Sequence, residues 1–166
     1  MTFADIADGD SIFLDANTLI YHFTMHALFG QACTDVLERI DRQEIDGFTS
    51  AHLLGEMAHR MMTIEASQRF GWPFQGIVYR LQQHPNEVRQ LTQFQQAVDE
   101  VLASRIQVLP ITPNLMSAAA MVSRQTGLLS NDALIAACMQ GHGLTHLASN
   151  DVDFDRVGGI TRYAPA

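Results

Sequence analysis

The chain is short of cysteine, of long apolar runs and of positive charge, and each shortage narrows what it can be. Its two cysteines, Cys33 and Cys138, stand alone in helix-like contexts. They cannot build a disulfide framework and read as small buried hydrophobes in a reducing cytoplasm. No apolar run approaches the length of a membrane span. The opening MTFADIADGD has neither the basic start nor the apolar stretch of a secretory signal. No membrane association and a cytoplasmic location are therefore expected. Lys and Arg total 10 against 18 Asp and Glu, a formal net charge of −8. That balance excludes loose, charge-driven binding to DNA or RNA. It leaves room for an enzyme acting on nucleic acid, because divalent cations can neutralise an acidic site locally, and for a basic partner protein. There is no Walker-type glycine loop and no Gly-x-Ser-x-Gly elbow, which argues against nucleotide hydrolysis and serine-type hydrolysis.

What is present fits one globular domain over residues 1–166. Hydrophobic residues make up 47% and charged residues 17%, a balance that can bury a substantial core. The chain is organised around Ser11–Ile20, SIFLDANTLI. Four residues suited to a buried strand lead to Asp15, with Asn17 two positions on and a helical pattern beyond. Burying Asp15 within the strand would be costly. At the tip of a strand, on the edge where open α/β sheets bind ligands, most of that cost disappears.

The remaining pattern alternates. Asn17 or Thr18 is a candidate cap for the first helix, which Gly30 would break. A second helix is expected over about 31–42, a strand over 45–49, and then a helix capped by Ser50 with Leu53, Leu54, Met57, Ala58 and Met61 as its apolar stripe. Residues from about 63 to 105 read as an insertion of paired, Gln-rich helices, interrupted at Gly71-Trp72-Pro73 and turning at Pro85-Asn86. A third strand over 106–111, a helix opened by Thr112-Pro113 and ended by Gly127, a helix from Ser130, a strand over 144–148 and a brief strand near 159–162 complete the chain. Strands alternating with helices predict an α/β fold of three α/β/α layers, with a central, mainly parallel, five-stranded sheet and an extra helical pair.

Carboxylates recur at equivalent places in this pattern. Asp15 ends the first strand, Asp132 lies in the first turn of a helix, and Asp151 follows the fourth strand with Asp153 close behind. Glu56, about two turns into its helix, can lean back towards the helix start. Right-handed connections bring such positions to one sheet edge. Each acid alone has an ordinary explanation: a helix-dipole partner for Asp132, a solvated helix residue for Glu56, turn residues for Asp151 and Asp153. Together they form a cluster that repels itself unless cations intervene. Hard oxygen donors select Mg²⁺ or Mn²⁺, and those ions suit phosphodiester hydrolysis. His52 and His59 flank Glu56, but no zinc-like ligand spacing accompanies them. Trp72 is a packing anchor for its turn or, less simply, a stacking platform for a base.

These segments resemble those of PIN-domain nucleases. SIFLDANTLIYHF is similar to the family's opening strand, Ser50 through Glu56 to its second motif, and LLSNDALIAACMQGHGLTHLASNDVDFDRVGGI to its Asp-Ala-Leu-Ile-Ala-Ala helix and the strand and acidic turn that follow. The resemblance covers about half of the chain, in the right order. It implies a Mg²⁺- or Mn²⁺-dependent ribonuclease in which Asp15, Glu56, Asp132 and Asp151 are the catalytic, metal-binding set. Asp153 would be an auxiliary ligand, and Asn17 and Ser50 would support the site by hydrogen bonding. It also implies a VapC-type toxin paired with a small antitoxin, and a homodimer. Two rivals stand beside this reading. One is a PIN-like module that binds RNA or protein without cutting it. The other is a Mg²⁺-dependent phosphatase, disfavoured because Ala16-Asn17 follows Asp15 where a second Asp would be needed and no Lys sits in a suitable loop. Within the insertion Arg69, Arg80 and Arg89 are the basic residues to watch, and solvated surface roles suit them better.

Overall fold

The strand that carries Asp15 at its tip is the middle of the sheet. In the computed structural model, which describes residues 1–166, β1 (Ser11–Leu14) lies between β2 (Asp46–Ser50) and β4 (His146–Ala148). β3 (Gln107–Leu109) pairs outside β2 and β5 (Thr161–Tyr163) outside β4, and every pairing is parallel. A central parallel strand is covered on both faces and needs apolar residues without alternation. Ile12, Phe13 and Leu14 meet that need, each with no exposed surface.

Their side chains enter two separate cores. Ile12 and Leu14 pack with Val36, Ile40, Met57, Met61 and Val101, while Phe13 packs with Leu134, Cys138, Met139 and Leu147. The first core is roofed by α2 (Gly30–Asp41), α3 (Ala51–Phe70) and α6 (Gln93–Ala103), and the second by α7 (Pro113–Thr126) and α8 (Ser130–Gly141). The three α/β/α layers and the five-stranded parallel sheet are those the pattern predicts. Both cysteines are buried and unpaired. No helix is long and apolar enough to cross a membrane.

Several boundaries follow their caps. Ser50 accepts the Leu53 N–H at 3.3 Å and starts α3; Thr112 accepts the Leu115 N–H at 3.3 Å and starts α7, with Pro113 in the first turn. Others differ from the sequence reading. A single residue separates β1 from α1 (Ala16–Phe23), so Asp15 itself occupies the cap position and Asn17 lies in the first turn. Gly30 does not end α1; it is the first residue of α2, after a loop over 24–29. β3 is three residues long, not six, and lies at the edge of the sheet beside β2.

The 63–105 stretch is not a simple pair of helices. Nothing breaks α3 before Gly71, which turns the chain with φ 65°, so α3 runs a full 20 residues. α6 buries Ala97 and Val101 in the main core and belongs to the main layer. Only α4 (Ile77–Gln83) and α5 (Pro85–Val88) stand outside, on a small cluster of Ala66, Ile77, Leu81 and Leu91. Pro85 opens α5 instead of marking a turn. The buried Glu65 of α3 accepts the Thr92 N–H at 3.1 Å and the Gln93 N–H at 2.9 Å. It thereby clamps the start of α6, where orphan N–H groups and the helix dipole favour a carboxylate. Trp72 is a packing residue: it meets Phe70 and His84 edge-on or tilted, with Arg80 over its ring.

Candidate active site

Register decides which side chains meet. Leu14 pairs with Ala148, so the next residues on each strand, Asp15 and Ser149, leave the sheet side by side. The strand tips are held by buried threonines: the Thr18 hydroxyl donates to the Ala148 carbonyl at 2.8 Å and the Thr49 hydroxyl to the Leu14 carbonyl at 3.0 Å. Asp15 is only 6% exposed, yet it has no ion pair. The Ser149 hydroxyl donates to its Oδ2 at 2.6 Å, and the Asn17 amide donates to the same oxygen. Asn17 also donates to Ser149 Oγ at 3.2 Å, while its Oδ1 accepts the Asn150 N–H at 3.2 Å. Ser149 Oγ in turn accepts the Asp151 N–H at 3.0 Å. One fully buried serine therefore ties Asp15 to the backbone of Asp151.

Four acids line one cleft of about 590 Å³: Asp15, Glu56, Asp132 and Asp151. They come from the tip of β1, the second turn of α3, the first turn of α8 and the turn after β4. Asp132, Asp151 and Asp153 are the tightest group, each offering a carboxylate oxygen within 4.8 Å of the others. Asp153 is drawn aside by an ion pair with Arg156, and its N–H donates to Asp151 Oδ1 at 2.9 Å. Asn17 lines the same cleft. Ser50 does not touch the acids; its hydroxyl serves as the cap of α3, the helix that carries Glu56.

The electrostatics match a crowded acidic centre. Burial pushes the Asp15 carboxyl up from 3.8 to about 6. The Ser149 hydroxyl and the Ala16 backbone oppose that rise, and the charges of Glu56 and Asp132 add to it. Asp132 is also held above its ordinary value, by burial first, then by Asp151, Asp153 and Glu56, with Arg156 pulling the other way. Oxygen donors that resist ionisation in each other's company fit a hard divalent cation, which would relieve both burial and repulsion. The tight group contains no His or Cys and offers only carboxylate oxygens, hard donors of the kind that suit a divalent cation.

Sequence reasoning missed Ser149 and part of the cleft wall. Ser149 was visible as a small hydroxyl residue at a strand end, but its meaning depends on the pairing of β1 with β4, 134 residues apart. Arg60, Phe74 and His26 also line the cleft, and no spacing in the sequence links them.

A family model described as "PIN domain" matches residues 12–160. No curated protein matches the chain. Solved structures share its fold at low identity. A structure of VapBC2 from Rickettsia felis, bound to a DNA fragment from their promoter, superposes with a TM-score of 0.60 at 15% identity, over 94% of this chain and 99% of that one. A toxin–antitoxin complex from Klebsiella pneumoniae gives 0.55 at 15% identity, over 90% and 95%. PAE2754 from Pyrobaculum aerophilum gives 0.55 at 14% identity, over 92% and 88%. At such identities the likeness is one of fold.

Proposed function

The chain belongs to the PIN-domain family, and from that premise we propose that it is a Mg²⁺- or Mn²⁺-dependent endoribonuclease, the toxin of a cytoplasmic toxin–antitoxin pair. The observation that carries this reading is the convergence of Asp15, Glu56, Asp132 and Asp151, from four separate segments, on one cleft at the carboxyl edge of a parallel sheet. Structural ion pairs do not explain them, because none of the four has an ion-pair partner.

In this reading the four acids hold the cation, with Asp153 as an auxiliary ligand that competes with Arg156. A bound divalent ion supplies polarisation of the phosphate and a lowered pKa for water. The chain's own residues do the positioning. Asn17 and Ser149 fix the Asp15 carboxylate through Oδ2. Ser149 and the Asp153 N–H set the turn that presents Asp151. Ser50, by capping α3, fixes the helix on which Glu56 stands. The net reaction is hydrolysis: water adds to phosphorus, one P–O ester bond breaks, and a phosphate monoester and a hydroxyl result, with no covalent enzyme intermediate.

The partners belong to the same proposal: RNA as substrate, a small antitoxin, and a second copy of the chain as a homodimer. The net charge of −8 suits a partner with basic residues. The test is incubation of the purified protein with a mixed, structured RNA pool in Mg²⁺, Mn²⁺ or EDTA, beside Asp15→Asn. Metal-dependent cuts that vanish in the variant support the nuclease. A folded, antitoxin-free protein that cuts under no condition would overturn it in favour of a non-catalytic binding module.

A further inference from the structure

The acids account for only part of the cleft, and the rest is built from a different chemistry. Arg60 stands one turn beyond Glu56 on α3 and lines the same cleft, with Phe74 from the segment after Gly71 and His26 from the loop between α1 and α2. The chain has no lysine, so its ten cationic side chains are all arginines. Arg39, Arg42, Arg69, Arg156 and Arg162 are engaged with carboxylates. Arg60 is the one arginine in the cleft, it has no ion pair, and its guanidinium lies 5.8 Å from the centroid of the Phe74 ring. A cation–π contact of this kind steadies the guanidinium beside the ring while leaving its N–H groups free for contact with an oxyanion. Phe74 is 55% exposed. Trp72, two residues earlier, packs against Phe70 and His84 instead, so the turn after α3 sends one aromatic ring into its own cluster and another to the cleft.

His26 is held just as deliberately. Its Nδ1 accepts the Leu28 and Phe29 N–H groups, both at 3.3 Å, which places the proton of the neutral ring on Nε2. The ring stacks on Phe29 at 5.2 Å with a 5° interplanar angle and meets Tyr21 at 4.6 Å. The loop closes tightly behind it: Gly30 N–H donates to the His26 carbonyl at 2.7 Å, and a Cβ at Gly30 would lie 2.9 Å from the Met25 carbonyl carbon. His26 is thus a fixed donor, not a side chain on a loose loop.

We propose that Arg60, Phe74 and His26 form a nucleotide subsite that holds single-stranded RNA beside the metal-binding acids. Phe74 stacks on a base, and Arg60 and the His26 Nε2–H bond backbone phosphate oxygens. The proposal rests on the nuclease reading for its ligand class. The physical need is clear from the charge. At −8 overall, the molecule offers RNA no general attraction, and a cluster of carboxylates can hold a cation but repels the strand. A local cation backed by an aromatic face supplies the missing attachment, and only an unpaired strand can turn a base onto the ring.

Binding can be read apart from cutting. The probe is a short, fluorescently labelled, unstructured oligouridylate, titrated by anisotropy at several salt concentrations against full-length Asp15→Asn protein in Mg²⁺. Adding Arg60→Ala is expected to weaken binding by about tenfold and to flatten the dependence of log affinity on log salt by about one phosphate contact. Adding Phe74→Leu, which keeps an apolar side chain but removes the stacking face, is expected to weaken it by about fivefold or more with the salt dependence kept. Arg124→Ala removes the same charge from an exposed site on α7 and should leave binding unchanged. With Asp15 intact, Arg60→Ala should raise KM by about tenfold and spare kcat. Equal losses for Arg60→Ala and Arg124→Ala, or RNA cut by Arg60→Ala and Phe74→Leu with native KM, would overturn the subsite and leave the nuclease standing. Arg60-dependent binding by a protein that cuts under no metal condition would support the subsite and overturn the nuclease.

Discussion

Replacing Asp15 by Asn should stabilise the protein while abolishing its chemistry. Asp15 is 6% exposed and its carboxyl is raised from 3.8 to about 6. The folded chain therefore binds this proton more tightly than the unfolded chain does. Stability is highest below 3.8, falls as pH rises from 3.8 to about 6, and stays reduced above that. The separation between the two values corresponds to about 3 kcal/mol carried as a penalty at neutral pH. Asn has the same shape and no charge, so it escapes the penalty. It accepts the Ser149 and Asn17 hydrogen bonds less strongly than a carboxylate, a loss of about 1 kcal/mol. The expected net gain is about 2 kcal/mol, or about 4–8 °C in Tm for a chain of this size. Thermal melts followed by circular dichroism in EDTA at pH 8 and pH 4 measure it. The gain should be full at pH 8 and vanish near pH 4, where native Asp15 is largely protonated. Added Mn²⁺ should raise the Tm of the native protein and close the gap, because a ligand bound only by the folded state stabilises it. A variant no more stable than the native protein at pH 8, or equally advantaged at both pH values, would refute the account of Asp15 as a strained, buried charge.

Two further outcomes follow from the same contacts. Ser149→Ala removes the donor that most opposes the rise of the Asp15 carboxyl, so the acid limb of the rate–pH profile should move to higher pH, with kcat/KM down by about tenfold near pH 6; an unmoved limb would remove Ser149 from the site. Glu65→Ala unclamps α6 by taking away the acceptor for the Thr92 and Gln93 N–H groups, which should cost about 1–3 kcal/mol by urea denaturation, and an unchanged midpoint would show that water replaces the carboxylate at no cost.

The sheet was legible because a buried parallel strand leaves a continuous apolar signature, as Ile12-Phe13-Leu14 does, and because Ser50, Thr112 and Gly127 are strong local punctuation. The acids were legible as a set because strand tips and helix starts recur in order, which is a one-dimensional property. The misreadings arose where local chemistry has two meanings. Gly30 can stop a helix or permit a close approach, and here it does the second against Met25. Asn17 has the residue type of a helix cap, but the helix had already started and its amide turns to Asp15. The 63–105 stretch concealed its true division because α6 faces the main core through Ala97 and Val101, a tertiary fact that amphipathic spacing alone does not carry. Arg60, Phe74 and His26 lie on three segments with no shared period, so only folding brings them to one cleft.

The bond between Asp15 and Ser149 spans 134 residues, and this separation bears on how the protein is made. Translation delivers Asp15 first, and β1 can pair with β2 early. The hydroxyl that fixes Asp15 and the turn that presents Asp151 come only after β4. A ribosome-bound chain that has not yet released β4 has three of its acids and no assembled centre. The carboxylate that β1 carries into the middle of the sheet therefore stays without its serine partner until the segment holding Ser149 has been made, so the order of synthesis delays assembly of the acidic centre.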